Sequence, residues 1–205
     1  MELINFGVHS YDGLQTLILF KEKVLSYKPD LVIFGLHLND IQRTWTMPIP
    51  SSTVSFLRSN SYLFNCIWNR LVNRAVGEHN KKQRGSYEKL YQPDSPLWQN
   101  HKAVLKEFKE VSATNGIPLL VVILPMWQDL DERYPYREIH ELLVRTLGDF
   151  MVPALDLLPI VRGLDGEKYR IESTDIDHPN AEGHRIIAQA IYDKLVRERL
   201  FPSPR

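Results

Sequence analysis

Apolar positions along the chain fall into two patterns, short unbroken runs and longer stripes at helical spacing. Leu31–Leu36 ("LVIFGL") is an unbroken run after a Pro-Asp turn, and "IPLLVVILP" over 117–125 is a second. Runs of this length without alternation fit strands buried on both faces of a parallel sheet. "ELINF" (2–6) and "MVPALDL" (151–157) read as a first and a last strand. Elsewhere the spacing turns helical. Leu14, Leu17, Ile18, Val24 and Leu25 predict a helix over 13–27, and Leu63, Phe64, Ile67, Trp68, Leu71, Val72 and Ala75 predict another. Leu97, His101, Val104, Leu105, Phe108 and Val111 predict a third over about 97–115, stopped by Asn115-Gly116. Ile139, Leu142, Leu143, Thr146, Leu147 and Phe150 form the cleanest stripe. Asn180 is placed to cap a last helix carrying Ile186, Ile187, Ala190, Ile191 and Leu195.

Two stretches interrupt this order. Residues 43–60, rich in Pro and Ser, read as an insertion or lid, and the polar stretch 77–96 reads as an excursion from the domain. Alternation of strands and helices implies a parallel sheet with helices on both faces, in a single domain over 1–205.

Composition adds exclusions. With 205 residues, 43% apolar and 24% charged, the chain can bury a substantial core. Lys plus Arg equals Asp plus Glu at 25 each, so no global charge draws the chain to nucleic acid or an anionic membrane. Cys66 is the only cysteine, which excludes an intramolecular disulfide and a cysteine-rich metal site. No apolar run approaches the roughly 18–20 residues that span a bilayer.

Ligands of open α/β sheets bind beyond the carboxyl ends of the strands. Gly7–Ser10, Asn39-Asp40 and Asp175–His178 all fall there and are expected to converge on one edge. Asp175, Asp177, His178 and His184 contain ligand chemistry but lack a structural-zinc spacing, so no metal is expected. His184 is expected to pack or hydrogen-bond in the first turn of the last helix, Asp177 to be solvated, and Asp40 to act as a cap. His37 either reaches the site or is a satisfied buried histidine. Trp45, Trp127, Tyr134 and Tyr136 lie in candidate loops, where they either shape an acyl or glycan pocket or pack.

"GVHS" after a strand, "GLHLND" after a buried strand and "DIDHPNAEGH" before the last helix together resemble three of the four motif blocks of the SGNH hydrolase (GDSL-type esterase/lipase) superfamily. The similarity runs through almost the whole chain in order and spacing. It implies a three-layer α/β/α sandwich with a flavodoxin-like parallel sheet, and a serine esterase working through an acyl-enzyme without metal or organic cofactor. It implies that His178 is the general base and acid of a Ser-His-Asp triad and that Asp175 orients it. Asn39 and the backbone N–H of Ser10 would form the oxyanion hole, with Ser10 standing where the family usually has glycine. His37 likewise stands where many members have glycine. The implied substrate is a small-molecule, lipid or glycan ester.

The family's nucleophile belongs to a Gly-Asp-Ser block on a strand preceding the Gly7 block. This sequence contains no Gly-Asp-Ser; its only Gly-Asp is Gly148-Asp149, followed by Phe150. The resemblance therefore leads us to expect a parent protein about 40 or more residues longer, with the missing strand lying between those at 2–6 and 31–36. The chain as given is expected to be inactive or nearly so. Ser10 is the alternative nucleophile on this rim, and a non-catalytic binding module on the same fold is the alternative function.

Overall fold

The computed structural model describes residues 2–41, 52–68, 70–71, 87–172 and 175–200. Its sheet has three parallel strands, β1 (Val32–His37), β2 (Leu119–Leu124) and β3 (Ala154–Asp156), with β2 in the centre. Val32 pairs with Leu119 through to His37 with Leu124, and Val121–Ile123 pair with Ala154–Asp156. Around it lie helices α1 (Gly13–Glu22), α2 (Ser52–Asn60), α3 (Tyr87–Leu90), α4 (Pro96–Thr114), α5 (Arg137–Asp149), α6 (Leu158–Val161) and α7 (Ala181–Arg197). Residues 62–68 and 70–71 are also helical.

Helices cover both sheet faces. On one, Phe34, Leu36, Val121 and Ile123 join Leu17 and Phe20 of α1, Leu105 and Phe108 of α4, and Leu143 and Leu147 of α5. The Phe108 ring stacks on Phe34 at 4.5 Å and on Phe20 at 5.4 Å between centroids. On the other face, Leu120, Val122 and Leu155 pack against Ala190 and Leu195 of α7. Each such fully buried aliphatic side chain contributes about 1.5–3 kcal/mol. Helix ends follow the sequence signals. Asp12 and Gln15 form a reciprocal capping box on α1, and Ser95 caps α4 with Pro96 in the first turn. The Asn180 side chain accepts from the amides of Glu182 and Gly183 at 3.0 and 3.1 Å. Gly116 takes φ +65° just past α4, a left-handed conformation that favours glycine.

Three expectations are corrected, and two fall partly outside the described residues. Residues 2–6 form no strand: Leu3 is 86% exposed, and only Phe6 packs, against Tyr27 at 5.1 Å. A strand is stable only beside a neighbour, and the only partner of β1 among the described residues is β2. β1 itself starts at Val32, one residue late, and is not buried on both faces. Ile33 and Gly35 are exposed, whereas their register partners Leu120 and Val122 are fully buried. Only the central strand, β2, is covered on both sides. The helix expected over 13–27 breaks at Lys23 into a 3-10 turn, Val24–Tyr27. Of the expected lid over 43–60, residues 52–60 form α2, and 42–51, which include Trp45, lie outside the described residues. The polar excursion over 77–96 is likewise cut: 77–86 lie outside them, while 87–90 form α3.

Candidate active site

β1 delivers the chain into a 3-10 turn, Leu38–Ile41, anchored by the buried side chains of Leu38 and Ile41. Asp40 Oδ2 accepts the amide of the preceding His37 at 2.9 Å, a bond back to the end of β1, and buried Tyr91 donates its hydroxyl to the Leu38 carbonyl at 3.0 Å; the segment Asp40 is expected to cap, from 42 on, lies outside the described residues. Asn39 is thereby exposed at the top of a turn pinned from both sides. Burial pushes the Asp40 carboxyl up to about 7, against the pull of the His37 amide and with Asp12 adding to the rise.

The Gly7–Ser10 block comes against this turn through α1. A Cβ on Gly13 would lie 3.3 Å from the Asp40 carbonyl and 3.2 Å from His101 Cε1, so the close approach favours a glycine. Ser10 closes a turn in which the Tyr11 amide donates to Val8 O at 3.3 Å, and its φ of +65° is left-handed. That geometry gives a physical reason why glycine suits this position. The Ser10 hydroxyl is paired with His9 Nδ1 at 2.8 Å.

The Asp175–His178 loop is the most closely tied part of the site. Asp175 Oδ1 accepts the amides of Asp177 and His178 at 3.0 and 3.1 Å, while Oδ2 lies 2.8 Å from His178 Nδ1. Burial alone would raise the Asp175 carboxyl, but the two amides and the imidazole outweigh it and hold the group below its usual range. An ionised Asp175 takes Nδ1–H of His178, which leaves Nε2 as the acceptor. The His178 side chain is 61% exposed, so that nitrogen is on an open rim. Trp127 N donates to Ile176 O at 2.7 Å, and Asn180 N to Tyr169 O at 2.7 Å, tying the loop on each side of the dyad. Gly183 lets α7 begin here: a Cβ would fall 2.7 Å from Pro179 Cβ and 3.0 Å from Tyr169 O.

Burial lowers the His37 imidazole pKa; Asp177 and Asn39 oppose the shift, while His178 and His140 reinforce it. The ring accepts the Asn39 amide at Nδ1 at 3.4 Å and lies within electrostatic reach of Asp177, His178 and His140. Its Nε2 is buried without a hydrogen-bond partner among the described residues, so it is not the satisfied histidine of the second alternative. Asp177 is half-buried beside it rather than solvated, and His184 is exposed rather than packed. The described contacts therefore join Asn39 to His37 and Asp175 to His178, with His178 within electrostatic reach of His37; they include no bond between the two pairs. Ser10 reaches the same edge through Gly13, but its described hydroxyl contact is with His9.

The sequence reading missed a buried array behind this loop. His140, 1% exposed, has Nδ1 2.7 Å from Asp156 Oδ1 and Nε2 3.1 Å from the Tyr134 hydroxyl. Tyr134 accepts the Met126 amide at 3.1 Å, and Asp156 accepts the Leu158 amide at 3.0 Å. Every group is satisfied when Tyr134 O–H donates to Nε2 and Nδ1–H donates to Asp156. The array fixes Met126, whose neighbour Trp127 holds Ile176 between Asp175 and Asp177. The signal for it was a histidine beside the apolar stripe of α5, next to Ile139. Trp127, Tyr134 and Tyr136 are 1–6% exposed and belong to this packing, not to a pocket wall.

Among the described residues, no three His, Cys, Asp or Glu side chains gather into a metal-binding group. Comparison of the chain with protein-family models, curated proteins and solved structures gives no match.

Proposed function

We propose that this chain carries the acid–base and oxyanion residues of an SGNH-type serine ester hydrolase, on a flavodoxin-like α/β/α sheet. The observation that carries the reading is the Asp175–His178 dyad, with its 2.8 Å contact and its exposed imidazole. In this reaction Nε2 takes the proton of a serine hydroxyl as the oxygen attacks the ester carbonyl, and Asp175 stabilises the imidazolium. The Asn39 side-chain amide and the Ser10 N–H receive the negative charge on the tetrahedral oxygen, a donor being worth about 3–4 kcal/mol of barrier. His178 then protonates the leaving alcohol, and water releases the acid from the acyl-enzyme by the same steps. The substrate class is a carboxylic ester of a small molecule, lipid or glycan.

The lack of a Gly-Asp-Ser block in these 205 residues favours keeping a second reading, in which they form a non-catalytic binding module. Esterase assays on the longest natural product of the gene separate the two. Turnover that falls roughly a thousandfold or more in His178→Ala supports the hydrolase; turnover indifferent to that change, or none at all, rejects it. A fluorophosphonate probe should leave the 205-residue chain unlabelled. A stoichiometric adduct on Ser10, lost in His178→Ala, would instead locate the nucleophile in this chain.

A further inference from the structure

A helix with apolar residues one turn apart ordinarily turns them inward, as α4 does with His101, Leu105 and Phe108. The helical residues 62–71 do the opposite. Leu63, Ile67 and Leu71 follow one another at intervals of four, yet they are 69%, 51% and 62% exposed. Phe56 and Tyr62, at 65% and 86%, extend the same exposed region toward α2. Phe64 and Trp68 are half-buried, with their rings stacked at 6.3 Å, so the helix has a packed side and still leaves the aliphatic stripe outside.

Charge distinguishes the occupants such a surface would accept. Residues 52–71 contain Arg58 and Arg70 and no acid. Arg70 is exposed, three positions after Ile67 and seven after Leu63, which puts it on the face of the stripe. An aliphatic stripe that carries an exposed arginine and no acid matches the boundary between anionic headgroups and acyl chains. A nucleic acid would satisfy the arginines but would leave Leu63, Ile67 and Leu71 against a charged backbone. No described helix is long and apolar enough to cross a membrane, so the contact is one of lying on the surface.

We propose that residues 52–71 dock the protein on an anionic lipid surface, which supplies its ester substrate. The docking stands independently of the hydrolase reading; only the clause on substrate rests on it.

Co-sedimentation of the 205-residue chain with vesicles of phosphatidylcholine, alone or with phosphatidylglycerol, tests the docking. The chain should pellet with the anionic vesicles and not with the neutral ones, and added salt should weaken the binding. Arg70→Glu should reduce it by at least about fivefold, the worth of one near-surface cation. Leu63→Ser/Ile67→Ser should reduce it to background, and Leu71→Ser alone should weaken it if the double variant fails to fold. His178→Ala should bind like wild type, which keeps failure of the hydrolase reading distinct from failure of the docking. Equal pelleting with both vesicle types, or with neither, overturns the proposal. So does a dimer in solution that Leu63→Ser/Ile67→Ser disperses without any vesicle binding, or capture by single-stranded RNA that vesicles fail to displace.

Discussion

Two loops at the carboxyl edge of the sheet are built in opposite ways. The Asp175–Asn180 loop is fixed by its own carboxylate, by Trp127 from one side, and by Asn180, whose side chain donates to Lys168 O at 2.8 Å. The Val8–Tyr11 loop is exposed, is closed by one 3.3 Å backbone bond, and holds a non-glycine residue in the left-handed region. The dyad loop is thus over-determined, whereas the Ser10 loop depends on Gly13 seating against Asp40. Under the proposed chemistry, a base that must keep one tautomer needs the first kind of support; a backbone donor needs only the second.

The largest expected effect breaks the stronger loop at its centre. Asp175→Asn should lower turnover of the longest gene product by roughly 10³–10⁴-fold, because the amide no longer enforces the Nδ1–H tautomer. Wild-type kinetics in that variant would contradict the dyad. Removing the support behind the loop should be felt as stability. His140→Phe leaves Asp156 without its imidazole partner and should cost about 3 kcal/mol, with Tyr134→Phe costing about 1–2 kcal/mol, both by denaturant unfolding. Faster amide exchange at Trp127 in Tyr134→Phe, but not in Ser112→Ala on α4, would tie that loss to the dyad loop.

The seat of the weaker loop should be visible as a pH dependence. Asp40 is raised to about 7 in the folded state, so the fold binds its proton more readily than the unfolded chain does, and stability from this group declines as pH rises from about 4 to 7. Burial lowers His101 to about 4, so the unfolded chain binds that proton more readily, and stability from it declines as pH falls from about 6.5 to 4. The two contributions oppose each other on either side of Gly13. Relative to wild type, Asp40→Asn should lose stability more steeply on acidification through this window, and His101→Gln less steeply, as read from Tm against pH. The smallest effect is Ser10→Gly, which relieves the left-handed strain and should stabilise the fold by up to about 1 kcal/mol while keeping the N–H.

Some of this was legible because the cause is local. The strand expected over 117–125 forms over Leu119–Leu124, and the Asn180 cap and the Asp175–His178 contact form as expected, because each needs only nearby residues. Glu2–Phe6 failed because a strand is defined by its neighbour, which a pattern within one segment does not reveal. The exposed face of β1 failed for the same reason: Ile33 and Gly35 belong to an apolar run, but α7 reaches only as far as the central strand. The Tyr134–His140–Asp156 array joins a loop, a helix and a strand across 22 positions, and nothing in the spacing of those residues announces it.

The register of the sheet also sets a timetable. Val121 meets Ala154 after 33 residues, whereas Val32 meets Leu119 only after 87. At ordinary synthesis rates, β1 leaves the ribosome roughly 4–17 s before its partner strand exists. During that interval its apolar run is an unclaimed edge, open to other chains, and docking of β1 is the step at which closing a long loop slows folding. Pulse-labelled exchange during refolding should therefore protect β2 and β3 first and β1 last, with aggregation during expression governed by Val32–Leu36 more than by any other strand.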